Sequence, residues 1–370
     1  MGKSGSVKTA IVQGWQKPLG TAAVSALLAV SAACGGSSSA AAGSNGGACK
    51  VPSTPVITLA AYSNPYDAYG KLTSAFASDW KDKHNGQSLI FQMSFGGSTT
   101  QATNIVNGFP ADVYASSLTP DVGLVQKAGL ITSDWQNATD GSIVATSVVG
   151  FMVRPGNPKN IHNWSDLTQS GLQILTPDPA QSGGAKWNIV AAYGAAMRGK
   201  VPGYAANNPA DAEKLLEGIF KNVTVLDKSA NDSFKNFESG NGDVAITYEN
   251  QALAGIAAGS KDQFVIPPST VSIQTPTVVV DKNAEKHCIE PIAAAFVDYL
   301  HTPDAQDVFA SVGYQRSIDV AKAQEGDGGQ YPPIADLFTT DDLGGWDKLA
   351  TDTVFGPSGV FTQAFSAAKG

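Results

Sequence analysis

The sequence predicts an α/β protein of two lobes built on mostly parallel sheets. Three observations predict it. Short β-rich runs alternate with amphipathic segments over most of the chain, without a short internal repeat. About 310 residues remain once the low-complexity start is set aside, more than one such core usually holds. With 42% hydrophobic and 15% charged residues, the composition is that of a packed body rather than a disordered chain.

The first 33 residues read as an export signal. Lys3, Lys8 and Lys17 make a basic start, and Thr21 to Ala33 is acid-free, mostly apolar and too short to span a bilayer. Ser31-Ala32-Ala33-Cys34 resembles a bacterial lipobox, in which the cysteine is lipidated after cleavage ahead of it. A simple signal peptide cut nearby is the alternative. Residues 35–47 contain only Gly, Ser, Ala and Asn, so 34–54 is expected to be an anchor and flexible tether. This arrangement points to a protein held on the outer face of a membrane. Cys49 and Cys288 would then meet oxidising conditions, where a disulfide is expected and two inert buried thiols are the alternative.

The body begins at Val56. Strands are predicted at Val56–Tyr62, Leu89–Phe95, Asp112–Ser116, Val144–Val153, Leu172–Thr176, Val223–Asp227, Val244–Tyr248 and Thr277–Asp281. Between the first two, Tyr69, Leu72, Phe76 and Trp80 repeat at helical spacing and predict an amphipathic helix. In open α/β sheets, ligands bind where strands end and loops enter helices.

Three such loops share a composition. Phe95-Gly96-Gly97-Ser98-Thr99 opens a helix through Gln101, Ala102 and Ile105. Pro179-Ala180-Gln181-Ser182-Gly183-Gly184-Ala185 opens one through Trp187 and Val190. Asp227-Lys228-Ser229-Ala230-Asn231-Asp232 opens a third through Phe234 and Phe237. Each puts small residues at a helix N-terminus, where backbone N–H groups lack internal partners and the helix dipole favours negative charge. Any one loop alone reads as ordinary N-capping. Three in one exported two-lobed chain point to an oxyanion cleft.

Other chemistry is poorly supported. The chain has 24 basic and 32 acidic residues, a net charge of −8, without basic clusters, so nucleic acid is excluded as a partner. Loss of residues 1–33 removes three lysines and no acid, which takes the charge to −11. Four His and three Cys, scattered along the chain, do not make a metal centre. Ser182 lacks the Gly-x-Ser-x-Gly elbow and a histidine partner, so a serine hydrolase is not expected. Asp134, Asp140 and the Asp341-Asp342 pair read as solvated surface. His84, His162, His287 and His301 read as structural or exposed, and Trp80, Trp187 and Trp346 as core.

At these loops the chain resembles the sulfate-binding proteins of bacterial ABC importers, from about Val56 to Phe365. The resembling blocks are Phe95-Gly96-Gly97-Ser98 with Gln101-Ala102, Phe151 to Lys159, and Ser182 to Asn188. Gly242 to Asn250, Pro276 to Lys282 and Gly344-Gly345-Trp346 continue the match. The resemblance implies a type II periplasmic-binding fold whose lobes close on one dehydrated sulfate. Lobe 1 would comprise 55–150 and 276–370, and lobe 2 would comprise 151–275. By position, Ser63, Ser98, Gly183, Gly184 and Ala230 would give backbone N–H donors, and Ser182 its hydroxyl. Tyr248 stands where many relatives carry a Trp that donates its indole N–H, so a phenol would donate instead. Arg316, in Gly313-Tyr314-Gln315-Arg316-Ser317, receives no role. The implied protein is a monomer without cofactor or metal, serving membrane permease subunits and a cytoplasmic ATPase rather than acting as an enzyme.

The chemistry of the loops agrees. Sulfate is fully ionised at neutral pH and only accepts hydrogen bonds, so a site made of donors alone satisfies it without a cation. Phosphate carries a proton that would face donors, a mismatch worth up to about 10⁴-fold in other sites. Thiosulfate and molybdate are acceptors of similar shape and remain the alternatives.

Overall fold

The computed structural model describes residues 49–314, 319–327 and 329–370. The leader 1–33, the lipobox Cys34, the tether to residue 48 and Arg316 lie outside the described residues. The first lobe opens with repeated strand–helix units: β1 (Val56–Tyr62), α1 (Tyr66–Lys83), β2 (Ile90–Gly96), α2 (Ser98–Val106), β3 (Val113–Ala115) and α3 (Thr119–Lys127). Strand β1 pairs in parallel with β2 and β3, with Val56 opposite Ile90 and Leu59 opposite Val113. Alternation decides which face each strand residue serves. Ile57, Leu59 and Ala61 point to a core with Tyr69, Leu72 and Phe76 of α1, whereas Ala60 packs with Ala102, Ile105 and Val122 of α2 and α3.

The chain crosses to the second lobe along β4 (Ile143–Val153), whose eleven residues are all buried. There follow β5 (Ile174–Pro177), α4 (Gly183–Met197), α5 (Pro209–Asn222), β6 (Val223–Asp227), α6 (Ala230–Glu238), β7 (Val244–Tyr248), α7 (Glu249–Ala257) and β8 (Gln263–Val265). The return crossing is β9 (Ser269–Val279), antiparallel to β4, with Val148 opposite Ser272 and Ile143 opposite Pro276. Its far end pairs antiparallel with β3. The strands lie in the order β2-β1-β3-β9-β4-β7-β5-β6, so β9 and β4 are the seam joining the lobes.

Helices α8 (Asp281–Lys286), α9 (Glu290–Tyr299) and α10 (Pro303–Ser311) follow, then α11 (Val320–Glu325), β10 (Asp336–Phe338), α12 (Gly345–Lys348) and α13 (Val360–Lys369). Phe296 and Phe309 complete the core against α1.

Four expectations are corrected. The sheet is mixed: β4 runs antiparallel to β7 and β9, and β9 antiparallel to β3, because these two strands carry the chain across the seam and back. The last predicted strand starts at Ser269 rather than Thr277. Its first part alternates with polar residues and contains Pro276, which is placed opposite Ile143 where the register shifts. Segment 276–370 does not return wholly to the first lobe. Strand β10 pairs with Ser269–Val271, and Phe361 and Phe365 of α13 pack edge-on against Phe220 of α5 at 5.1 and 5.5 Å. The apolar stripe of α13 finds its partner on the second lobe. Finally, residues 49–54 are not loose: Cys49 is disulfide-bonded to Cys288, and Gln87 donates to the Pro52 carbonyl at 3.2 Å.

Candidate functional site

Six strand-to-helix connections meet at the seam between the lobes: Ser63 after β1, Gly97-Ser98 after β2, Ser117 after β3, Ser182 to Gly184 before α4, Ala230 at the start of α6, and Tyr248 at the end of β7. The first three lie on one lobe and the others on the second. The helix starts expose amide donors by construction, since the first N–H groups of α2, α4 and α6 have no intrahelical acceptor. Ser98, Gly183, Gly184 and Ala230 occupy those first positions.

What caps each start separates the two sequence readings. Ser229 accepts from the Asp232 amide at 3.1 Å, as an N-cap does. Gly97, the cap of α2, has no side chain to use. Ser182 has extended N-cap dihedrals, φ −113° and ψ 122°, yet its hydroxyl accepts no cap bond. The residue is buried, and its hydroxyl is not used by the helix start.

The loops are in close contact. A Cβ on Gly97 would overlap the Gln181 carbonyl oxygen and stand 2.9 Å from the Lys228 carbonyl oxygen. A Cβ on Gly183 would overlap the Ser117 hydroxyl, and one on Gly184 would lie 3.1 Å from Ala230 Cβ and 3.3 Å from Ser182 Oγ. Hydrogen bonds cross the seam at each loop. The Thr100 amide donates to Gln181 O at 3.2 Å and the Asn231 amide to Ser63 Oγ at 3.2 Å. Lys186 Nζ donates to Thr99 Oγ1 at 3.1 Å, and Trp187 Nε1 to Ser117 O at 2.6 Å. The lobes are closed. A groove of about 330 Å³ lies beside them, with Ser63, Asn231, Gln251 and Tyr314 in its wall.

The electrostatics are those of dipoles, not of ions. Ser63, Ser98, Ser182, Ala230 and Tyr248 are all buried. Burial pushes the Tyr248 phenol well above its ordinary pKa, against a smaller lowering from its hydrogen bond with Ser117, so it is a neutral donor. Tyr62, next to Ser63, is pushed up to about 12 by burial and shares a 3.2 Å hydrogen bond with Tyr314. The cation on α4, Lys186, is engaged by Thr99 and by Asp121 at 3.9 Å. Burial raises the Asp121 carboxyl, and Lys186 opposes that shift. The Ser98 hydroxyl is occupied by Tyr114, Ser116 and the Ser117 amide, so Ser98 has its backbone N–H to offer.

All seven residues carried over by resemblance therefore come together. Reasoning from sequence missed Ser117, Thr99, Asp121, Lys186 and the seam-spanning role of Trp187. The signal for Ser117 was present: Ser116-Ser117 follows a predicted strand and precedes Thr119-Pro120, the same small-polar entry to a helix as the other loops. Among the histidines, His287 holds the buried Asp112 at 2.6 Å and His84 stacks on Trp80 at 3.6 Å, both structural arrangements away from the loops.

Known proteins share this plan. Residues 57–315 match the family described as bacterial extracellular solute-binding protein. A sulfate-binding protein of Synechococcus elongatus is 36% identical over 355 residues, 94% of this chain and 96% of its own. One from Salmonella typhimurium is 38% identical over 309 residues, 82% of this chain and 91% of its own. The solved sulfate-binding protein SubI of Mycobacterium tuberculosis superposes with a TM-score of 0.70 at 34% identity, over 80% of this chain and 98% of that one. Such agreement in sequence and in fold, across nearly the full length of all three relatives, leaves one assignment: the chain belongs to the bacterial extracellular solute-binding proteins, on their two-lobed type II periplasmic-binding fold.

Proposed function

We propose that the chain is the sulfate-binding component of a bacterial ABC importer, holding one dehydrated sulfate between its lobes. The observation that carries the reading is Ser182, a buried residue whose hydroxyl is released from capping at the start of α4, among helix N-termini of both lobes. The donors are the amides of Ser63, Ser98, Gly183, Gly184 and Ala230, the Ser182 hydroxyl and the Tyr248 phenol. Every one is uncharged and each has a hydrogen to give, which matches an ion that only accepts. Relatives named for sulfate, similar over most of their length, support the same ion. The protein binds and does not catalyse, works as a monomer, and hands its anion to permease subunits driven by a cytoplasmic ATPase.

Lipid on Cys34 holds it to the outer face of the cytoplasmic membrane in this reading, supported by the basic and apolar leader ahead of that residue. Cys34→Ala should move the protein from the membrane to the soluble fraction; retention in the membrane refutes the anchor. Calorimetric titration of the mature protein with sulfate, thiosulfate, molybdate and phosphate tests the function. Sulfate should bind tightest and phosphate least, and a preference for thiosulfate or molybdate would replace the assigned ion.

A further inference from the structure

We infer that Trp187 couples anion binding to lobe closure, as a positioning residue that acts through the main-chain carbonyl of Ser117. The inference rests on the sulfate reading above. Trp187, near the start of α4 in the second lobe, is 1% exposed and packs edge-on against Trp346 of α12 at 4.8 Å. Its indole N–H leaves that lobe and donates to the Ser117 carbonyl of the first at 2.6 Å. Ser117 is itself buried, and its amide donates to Ser98 Oγ at 3.1 Å, which ties it to the start of α2.

The geometry of α4 links the two events. Gly183 and Gly184 are its first residues, and Trp187 follows one turn later, on the same side of the helix. One rigid element thus presents its first amides to the anion position and its indole to the opposite lobe. Ser117 is also adjacent to Gly183, whose missing Cβ makes room for the serine hydroxyl. When the lobes part, the indole and the carbonyl must part with them, so their bond exists only in the closed form. A contact with such differential strength shifts the closed population, and an anion that needs the closed form is then released more slowly. Among the described residues, the other bonds between these loops are longer: 3.1 Å at Lys186, 3.2 Å at Thr100 and at Asn231, and 3.4 Å between Ser117 Oγ and Tyr248.

Trp187→Phe in the full chain keeps a ring against Trp346 and removes the donor. Benzothienylalanine at position 187 keeps the indole shape as well and guards against misfolding of the phenylalanine variant. Sulfate dissociation should quicken about tenfold or more while association stays within about threefold, because a buried carbonyl loses its partner only on closure. A purely structural role would lower the melting temperature and leave the dissociation rate alone. Wild-type affinity in the benzothienylalanine protein, or a loss carried by slower association, overturns the inference. If the wild-type protein binds no sulfate, the functional reading fails by itself. X-ray scattering without anion then decides the coupling: a larger radius of gyration in the variants supports it, and equal radii overturn it.

Discussion

Ser182 and Ser229 begin two helices but use their hydroxyls differently. At an N-cap, a serine hydroxyl ordinarily accepts an amide of the first turn, as Ser229 does from Asp232, and its loss costs helix stability. Ser182 makes no such bond, so its removal should leave the fold intact and be felt in binding. A hydrogen bond to a charged group contributes about 1.5–3 kcal/mol, so Ser182→Ala should weaken sulfate binding roughly 10- to 150-fold. Calorimetry alongside a melting curve checks both halves. Tyr248 supplies a second test. Its phenol is far above the ordinary pKa and the neighbouring Tyr62 is at about 12, so both keep their protons through mildly alkaline pH. Affinity should therefore be flat between about pH 7 and 9. A decline over that interval, measured at constant ionic strength, would reveal a titrating donor that the site does not contain.

At the scale of elements, the strand-to-helix loops carry the site because only there do unpaired amides from different strands converge. Closure depends on backbones meeting without side chains between them. A Cβ at Gly97 would overlap Gln181 O and crowd Lys228 O, both backbone atoms that cannot swing aside. Gly97→Ala should thus hold the lobes apart and cut sulfate affinity by at least about tenfold with little change in the melting temperature. Far from the loops, Asp336 on β10 takes a two-point hydrogen bond from Arg198, just past the end of α4, at 2.6 and 3.0 Å, and one from Ser269. The Arg198 bond, more than any other cause, holds the Asp336 carboxyl below the usual carboxylate range, with burial opposing. A depressed folded pKa adds stability above the unfolded value, near pH 4, and loses it as pH falls through the folded one. Asp336→Asn should therefore cost about 1 kcal/mol at pH 7, an amount kept small because the pair is partly exposed to solvent. The gap to wild type should close towards pH 3 in an acid denaturation series.

For the whole molecule, the Cys49–Cys288 disulfide spans 239 residues and fastens the start of the body beside α9. Linking such distant positions restricts the unfolded chain more than a short bridge would, and disulfides typically contribute roughly 2–4 kcal/mol. Replacing both cysteines with alanine should lower the denaturation midpoint correspondingly without changing sulfate affinity, since the bridge lies on one lobe. A loss of affinity instead would mean that the bridge orders the cleft. The second lobe is held differently, by α13 wrapped onto α5 through Phe361 and Phe365. Phe361→Ala removes a largely buried ring and should destabilise by about 3 kcal/mol or more, as denaturant titration would record.

Local pattern was enough to read the α/β class, seven of the strands and the three glycine- and serine-rich helix starts, because period and turn chemistry are written in neighbouring residues. The stripe Tyr69, Leu72, Phe76 and Trp80 is a case in point, since helical spacing alone tells which side is buried. The seven proposed contacts were legible through resemblance, residue by residue. Other features depend on partners distant in the chain. Strand β9 is continuous through Pro276 only because β4 lies beside it, and α13 belongs to the second lobe only because Phe220 faces it. Ser117, Lys186 with Asp121, and the donor role of Trp187 exist only when the lobes meet, and no local period encodes a bond between residues 70 positions apart. Sequence thus determined where helix starts and their amides lie, and tertiary structure decided which backbone they close against. The reason is physical: a helix start exposes its amides wherever it forms, whereas a carbonyl is accepted across a seam only after both sides have folded.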